Sequence, residues 1–107
     1  MEWNVYYFNI NQRKIETFNI FDHRTFVKYV KKHIKECKTK EEFAEKLKSE
    51  LMYYFGFKAE WEILISPWVG GDRKEDTIKI DVYNQVMINW NVFSDYVWNN
   101  RKEILNE

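Results

Sequence analysis

The chain has 107 residues, no net formal charge and 32% charged residues. That is globular rather than disordered composition at the length of one domain, so residues 1–107 are read as a single domain. Zero net charge argues against a protein whose main work is non-specific phosphate binding, which needs a basic excess.

The lone cysteine, Cys37, excludes an intrachain disulfide and fits a reducing compartment. Met1-Glu2-Trp3-Asn4 lacks the basic and apolar regions of a secretory leader. No apolar run approaches the ~20 residues of a membrane span. A cytoplasmic location without a membrane partner is expected.

Aromatic side chains are abundant: 8 Phe, 7 Tyr and 5 Trp, against 3 Gly and 1 Pro. Each buried ring removes roughly 150–250 Å² from water. A domain of this size cannot hide them all, so some of Trp3, Trp61, Trp68, Trp90 and Trp98 are expected at the surface. Tyr and Trp there favour protein interfaces.

Trp3 to Ile10 is aromatic and β-branched, and reads as a strand. Trp3, Val5 and Tyr7 share one face; Tyr6, Phe8 and Ile10 share the other. With both faces apolar, the strand is expected to be central or covered on both sides. Asn11-Gln12-Arg13-Lys14 is a polar turn into a second strand, Ile15 to Ile20, which completes a hairpin. Asp22 is a candidate N-cap. Phe26, Val27, Val30, Ile34 and Cys37 recur at helical spacing, with lysines opposite, and predict a helix over 24–37. His33, among those lysines, is expected to be exposed. Thr39 and Glu42 match a capping box. Phe43, Ala44, Leu47, Leu51 and Tyr54 give a second helix over 40–55, with Gly56 placed for a left-handed C-terminal cap.

Phe57 to Ser66 alternates, with Phe57, Ala59, Trp61, Ile63 and Ile65 on one face, which is the pattern of a half-buried strand. Pro67 ends it. After a long connection over 67–76, Thr77 to Tyr83 alternates again, with Ile78, Ile80 and Val82 inward. Residues 84–103 read as a last helix through Val86, Trp90, Phe93, Val97 and Ile104, its first turn complicated by Asn89 and Asn91. The predicted fold class is therefore α+β: order β-β-α-α-β-β-α, with two antiparallel hairpins packed against three helices. The predicted core contains Val5, Phe26, Val30, Leu47, Leu51, Trp61, Ile63, Ile80 and Phe93.

Candidate chemistry is sparse. Asp22-His23 is the one acid–histidine neighbour pair, and helix capping accounts for Asp22 without catalysis. Glu60, Glu62 and Asp81 could meet across the second hairpin beside Lys79, as carboxylates do around a hard cation. Alternating charge on the wet face of a hairpin is the simpler reading. Cys37 lies on an apolar stripe and reads as a packing residue. With no base, nucleophile or metal set and no cofactor motif, a non-enzyme without cofactor is expected.

Two segments suit binding. Pro67-Trp68-Val69-Gly70-Gly71 lacks the spacing of a phosphate loop. Trp68 is either a plug folded back over the sheet edge or the anchor of a recognition loop. The second reading makes Trp68, Gly70 and Gly71 a partner site, with Arg73 and Lys74 as its polar rim. The second segment is basic. Residues 23–50 hold nine basic and five acidic groups, whereas 51–107 hold six and nine. Lys28, Lys31, Lys32 and Lys35 are candidate contacts to nucleic acid, weighed against an ordinary solvated helix face.

Several phrases occur together: Glu2-Trp3-Asn4-Val5-Tyr6-Tyr7, Glu16-Thr17-Phe18-Asn19-Ile20-Phe21-Asp22-His23, Trp61-Glu62-Ile63-Leu64-Ile65-Ser66-Pro67-Trp68, and Lys79-Ile80-Asp81-Val82-Tyr83. With these the chain resembles a family of short uncharacterised proteins carried by prophages and integrative elements of Gram-positive gut bacteria. The resemblance implies a stand-alone accessory protein of a mobile element. By context and size, a binding protein that engages and modulates a host protein or ribonucleoprotein complex is expected, an anti-CRISPR-type inhibitor being one form. It supplies no catalytic residues. The alternatives are a nucleic-acid-binding accessory factor and a metal-dependent nuclease.

Overall fold

Among the described residues, five antiparallel strands form one sheet in the order β2-β1-β3-β4-β5. The strands are β1 (Asn4–Asn9), β2 (Lys14–Asn19), β3 (Ala59–Ser66), β4 (Ile78–Asp81) and β5 (Val86–Ile88). The helices are α1 (Arg24–Glu36), α2 (Lys40–Gly56), α3 (Trp90–Asn99) and α4 (Arg101–Asn106), with a 3-10 turn over Ile20–Asp22. The computed structural model describes residues 2–56, 59–68 and 75–106, without the side chains of Glu60 and Trp61. The α+β class and both predicted hairpins are present.

Alternation builds the inner face of the sheet. Val5 and Tyr7 of β1, Ile63 and Ile65 of β3, and Ile78 and Ile80 of β4 are buried. Helices α2 and α3 pack on this face and on each other; α1 packs on α2, and α4 on α1 and α3. Every predicted core residue is buried except Trp61, whose side chain lies outside the described residues. Trp3 and Phe93 join sheet to helices, with ring centroids 5.0 Å apart. Among the described residues, no helix is long and apolar enough to cross a membrane.

The last predicted helix is divided. Val86–Ile88 is an edge strand paired with β4, Ile80 opposite Met87. Two residues set this turn. Asp81 accepts from the backbone N–H of Asn84 at 3.0 Å, and Gln85 takes a left-handed φ of 57°. Asn89, at φ 61°, then turns the chain into α3. Asn tolerates this region better than most residues. A second break falls at Asn100, whose amide Nδ2 donates to the Tyr96 carbonyl at 2.8 Å.

Local caps also differ from expectation. The N-cap of α1 is His23, one residue beyond Asp22: its Nδ1 accepts from the Phe26 N–H at 3.3 Å. With Nδ1 accepting, the ring proton sits on Nε2, which lies 2.7 Å from the Tyr54 hydroxyl. One imidazole thus fastens the start of α1 to α2. His23→Ala should lower stability by about 1 kcal/mol, the usual cost of losing a cap, and His23→Asp should recover part of it. Urea midpoints of the three proteins check this. The Thr39 hydroxyl does cap α2, accepting from the Glu42 N–H at 3.2 Å. Gly56 is the last residue of α2 and has no left-handed φ, so it is not the predicted cap.

His33 is buried rather than exposed, at 6%. Its Nε2 meets Glu50 Oε1 at 2.9 Å, and its Nδ1 lies 3.7 Å from Glu36 Oε2. It falls on the side of α1 that carries Phe26 and Val30, so packing against α2 overrides the lysines beside it in sequence.

Tyr7 carries a pH dependence. Its hydroxyl donates to Glu16 Oε2 at 2.7 Å. Burial first, then this bond and the Glu16 charge, push the phenol above its ordinary value. The folded state therefore keeps a proton that the unfolded chain releases, and stability should fall as pH rises above about 10. Tyr7→Phe should flatten that fall in a urea series. A residual slope should remain from Tyr96, also raised chiefly by burial.

Candidate functional site

Among the described residues, α2 and α3 pack on the inner face of the sheet, and the other face carries exposed side chains. Tyr6 and Phe8 of β1 point there, opposite Thr17 and Ile15 of β2. Leu64 of β3 is the other neighbour of Tyr6. Lys79 and Asp81 of β4 follow, then Ile88 and Val86 of β5. The open face is largely apolar: Ile15 is 72% exposed, Ile88 51%, Val86 49% and Phe8 40%. A charged centre divides two apolar margins. There Lys79 Nζ meets Glu62 Oε2 at 3.2 Å.

Trp68 stands at one end of this face, 37% exposed. Its backbone N–H donates to Ser66 Oγ at 3.1 Å, and its carbonyl accepts from the Tyr6 hydroxyl at 3.5 Å. Its indole N–H donates to Asp76 Oδ2 at 2.9 Å, which spans the long connection. Below it, Ser66 and Thr77 are buried and joined, hydroxyl to hydroxyl, at 2.9 Å. Trp68 is thus bonded to the sheet end through Ser66 and Tyr6 and keeps 37% of its surface exposed. The other predicted loop residues, Gly70, Gly71, Arg73 and Lys74, lie outside the described residues.

The carboxylates of the second hairpin are spent locally. Glu62 and Asp81 are register partners. Glu62 pairs with Lys79, while Asp81 holds both the backbone N–H and the side-chain amide of Asn84, at 3.0 and 2.8 Å. Those bonds to Asn84 hold its carboxyl below the usual range. The side chain of Glu60 lies outside the described residues. Among the described residues, no three His, Cys, Asp or Glu side chains converge as a metal set.

Cys37 is buried, and burial, followed by a bond with Glu42, raises its thiol above the ordinary value. That disfavours the thiolate a nucleophile needs. His23 borders an apolar pit with Phe18, Ile20, Phe26 and Tyr54, but its volume of about 10 Å³ holds one water at most. The predicted basic residues do share a helix face: Lys28, Lys32 and Lys35 of α1 are exposed, and Lys31 is half-buried.

In comparisons with known proteins, no family model, curated protein or solved structure matches the chain. The likeness to mobile-element proteins rests on its residue phrases alone.

The open apolar face was missed in the sequence, although its signal was present. Tyr6, Phe8 and Ile10 make the second face of β1 apolar, which suggests a strand that is central or covered on both sides, and β1 is indeed interior to the sheet, between β2 and β3. Ile15 repeats the signal on β2. Among the described residues, the helices that touch the sheet pack on its inner face, and the side chains of the other face stay exposed.

Proposed function

We propose that this protein is a binding module rather than an enzyme, and that it docks a host protein on the open face of its sheet with Trp68 as an anchor. The observation that carries this reading is the exposed set of Ile15, Phe8, Val86 and Ile88 around the Lys79–Glu62 ion pair, on the face of the sheet away from its buried side chains. Exposed apolar groups gathered in one surface, rather than scattered singly, favour protein contact. The charge there also favours protein over phosphate. Lys79 is neutralised by Glu62, and Asp81 adds a negative charge. A partner carrying an apolar patch and a cation complements this surface.

The resemblance to prophage and integrative-element proteins gives the setting. The protein acts in the cytoplasm of a Gram-positive host and modulates a complex there, and inhibition of a CRISPR effector is one concrete form. Affinity capture from such a host tests it. A protein retained by the native chain should be lost with the double variant Phe8→Asp, Ile15→Asp, whose sites are exposed and whose folding is checked by circular dichroism. The recovered partner should then form a stoichiometric complex with the pure protein. Equal retention by a folded double variant would remove the open face from consideration.

A further inference from the structure

The outer face of α1 is unexplained by docking on the sheet. At 3.6 residues per turn, Arg24, Lys28, Lys31, Lys32 and Lys35 fall within an arc of about 100°, and no other residue of α1 enters it. This arc lies opposite Phe26, Val30 and His33, which are buried. Arg24, Lys28, Lys32 and Lys35 are exposed and, among the described residues, pair with no carboxylate. Elsewhere lysines do pair: Lys40 with Asp95 at 3.4 Å and Lys79 with Glu62 at 3.2 Å.

This arrangement opposes helix stability. Arg24–Lys28, Lys28–Lys32 and Lys31–Lys35 are like charges four residues apart, which repel. The exposed side of α2 mixes signs instead, with Glu42 four residues before Lys46 and Glu45 three before Lys48. Glu36, the only acid on α1, sits on the flank beside His33. The segregation is thus local to one helix of a chain with no net charge.

We infer that this face of α1 binds the phosphate backbone of nucleic acid, independently of the protein-docking face. Two features favour phosphate over an acidic protein surface. The arc has no aromatic or aliphatic anchor, and lysine is depleted from protein interfaces, which depend on such anchors. Phosphates need only point charges. Arg24, Lys28 and Lys32 also repeat every four residues, about 6 Å along the axis, so they present a row rather than a cluster. Because the bases are not read, the binding is sequence-independent and weak at physiological salt.

Fluorescence anisotropy of the full chain with labelled duplex DNA, single-stranded DNA and duplex RNA tests this. Four phosphate contacts give a slope of log K against log salt of about −3 to −4, depending on strandedness. Changing Lys28, Lys32 and Lys35 together to Gln removes three like charges without disturbing the core. It should lower affinity at least tenfold and reduce the slope by about 2 to 3. The Phe8→Asp, Ile15→Asp protein should bind as the native chain does, so this inference and the docking proposal fail separately. No binding to any of the three nucleic acids at low salt would overturn the inference. So would an unchanged slope in the triple variant, or tighter binding of poly-glutamate than of DNA, which would assign the face to an acidic protein.

Discussion

Phe93→Ala is expected to remove about 3–5 kcal/mol of stability, the range for deleting a fully buried ring. Phe93 is wholly buried and lies where the elements meet. Its ring centroid is 5.0 Å from Trp3, 5.6 Å from Trp90, 6.0 Å from Phe26 and 6.2 Å from Phe21. Those partners come from the chain start, α3, α1 and the 3-10 turn, so no single element can shift to refill the space. A small domain has roughly 5–15 kcal/mol in total, so much of the margin would go. Phe93→Leu should cost less, because it leaves a smaller cavity. Urea denaturation followed by tryptophan fluorescence measures both. A loss below about 1 kcal/mol for Phe93→Ala would mean that α3 does not bear on this core.

The sequence carried the core better than its connections. Phe26, Val30, Leu47 and Leu51 recur at a period that only a helix explains, and Ile63, Ile65, Ile78 and Ile80 at a period that only a strand explains. Residues 84–89 defeated the same logic. Val86, Trp90, Phe93 and Val97 are spaced by four, three and four, which imitates a helix stripe. Strand β5 has three residues, too few to display a period of two. The turn at Gln85 uses positive φ without glycine and carries no breaker signal, whereas Asn89 carries one that reads only as a complication of the first helical turn. His23 as a cap was similarly hidden. Imidazole is not a usual cap, and Asp22 beside it is.

The site was half legible. Trp68 stood out beside Pro67 and the paired glycines, and the lysines of α1 stood out by periodicity. The open face did not, because it is assembled from β1, β2 and β5 across the sheet. No local pattern reports that α1 packs on α2, so that among the described residues only α2 and α3 meet the sheet, on its inner face. His33 shows the same limit at one residue. Its spacing from Phe26 and Val30 is that of the buried stripe, yet its sequence neighbours are cations.

Trp68→Ala should weaken partner binding tenfold or more while leaving the fold intact. An anchoring Trp contributes about 2 kcal/mol or more, and each 1.4 kcal/mol is tenfold. The side chain is only 37% exposed, but it is held ready by its indole bond to Asp76. A side chain fixed before binding loses less entropy on docking. Asp76→Ala should therefore weaken binding too, though less, since it loosens the ring without deleting it. Phe8 is on the same strand face as Tyr6, whose hydroxyl reaches the Trp68 carbonyl. Adding Phe8→Ala should then lower affinity further, about a hundredfold in total if both rings enter the interface. Calorimetric titration with the captured partner gives these ratios, and thermal denaturation gives the control. Unchanged affinity in a folded Trp68→Ala protein would rule the anchor out. A collapse of the melting temperature would instead show that the ring is part of the packing at the sheet end, where Ser66 holds the Trp68 backbone N–H.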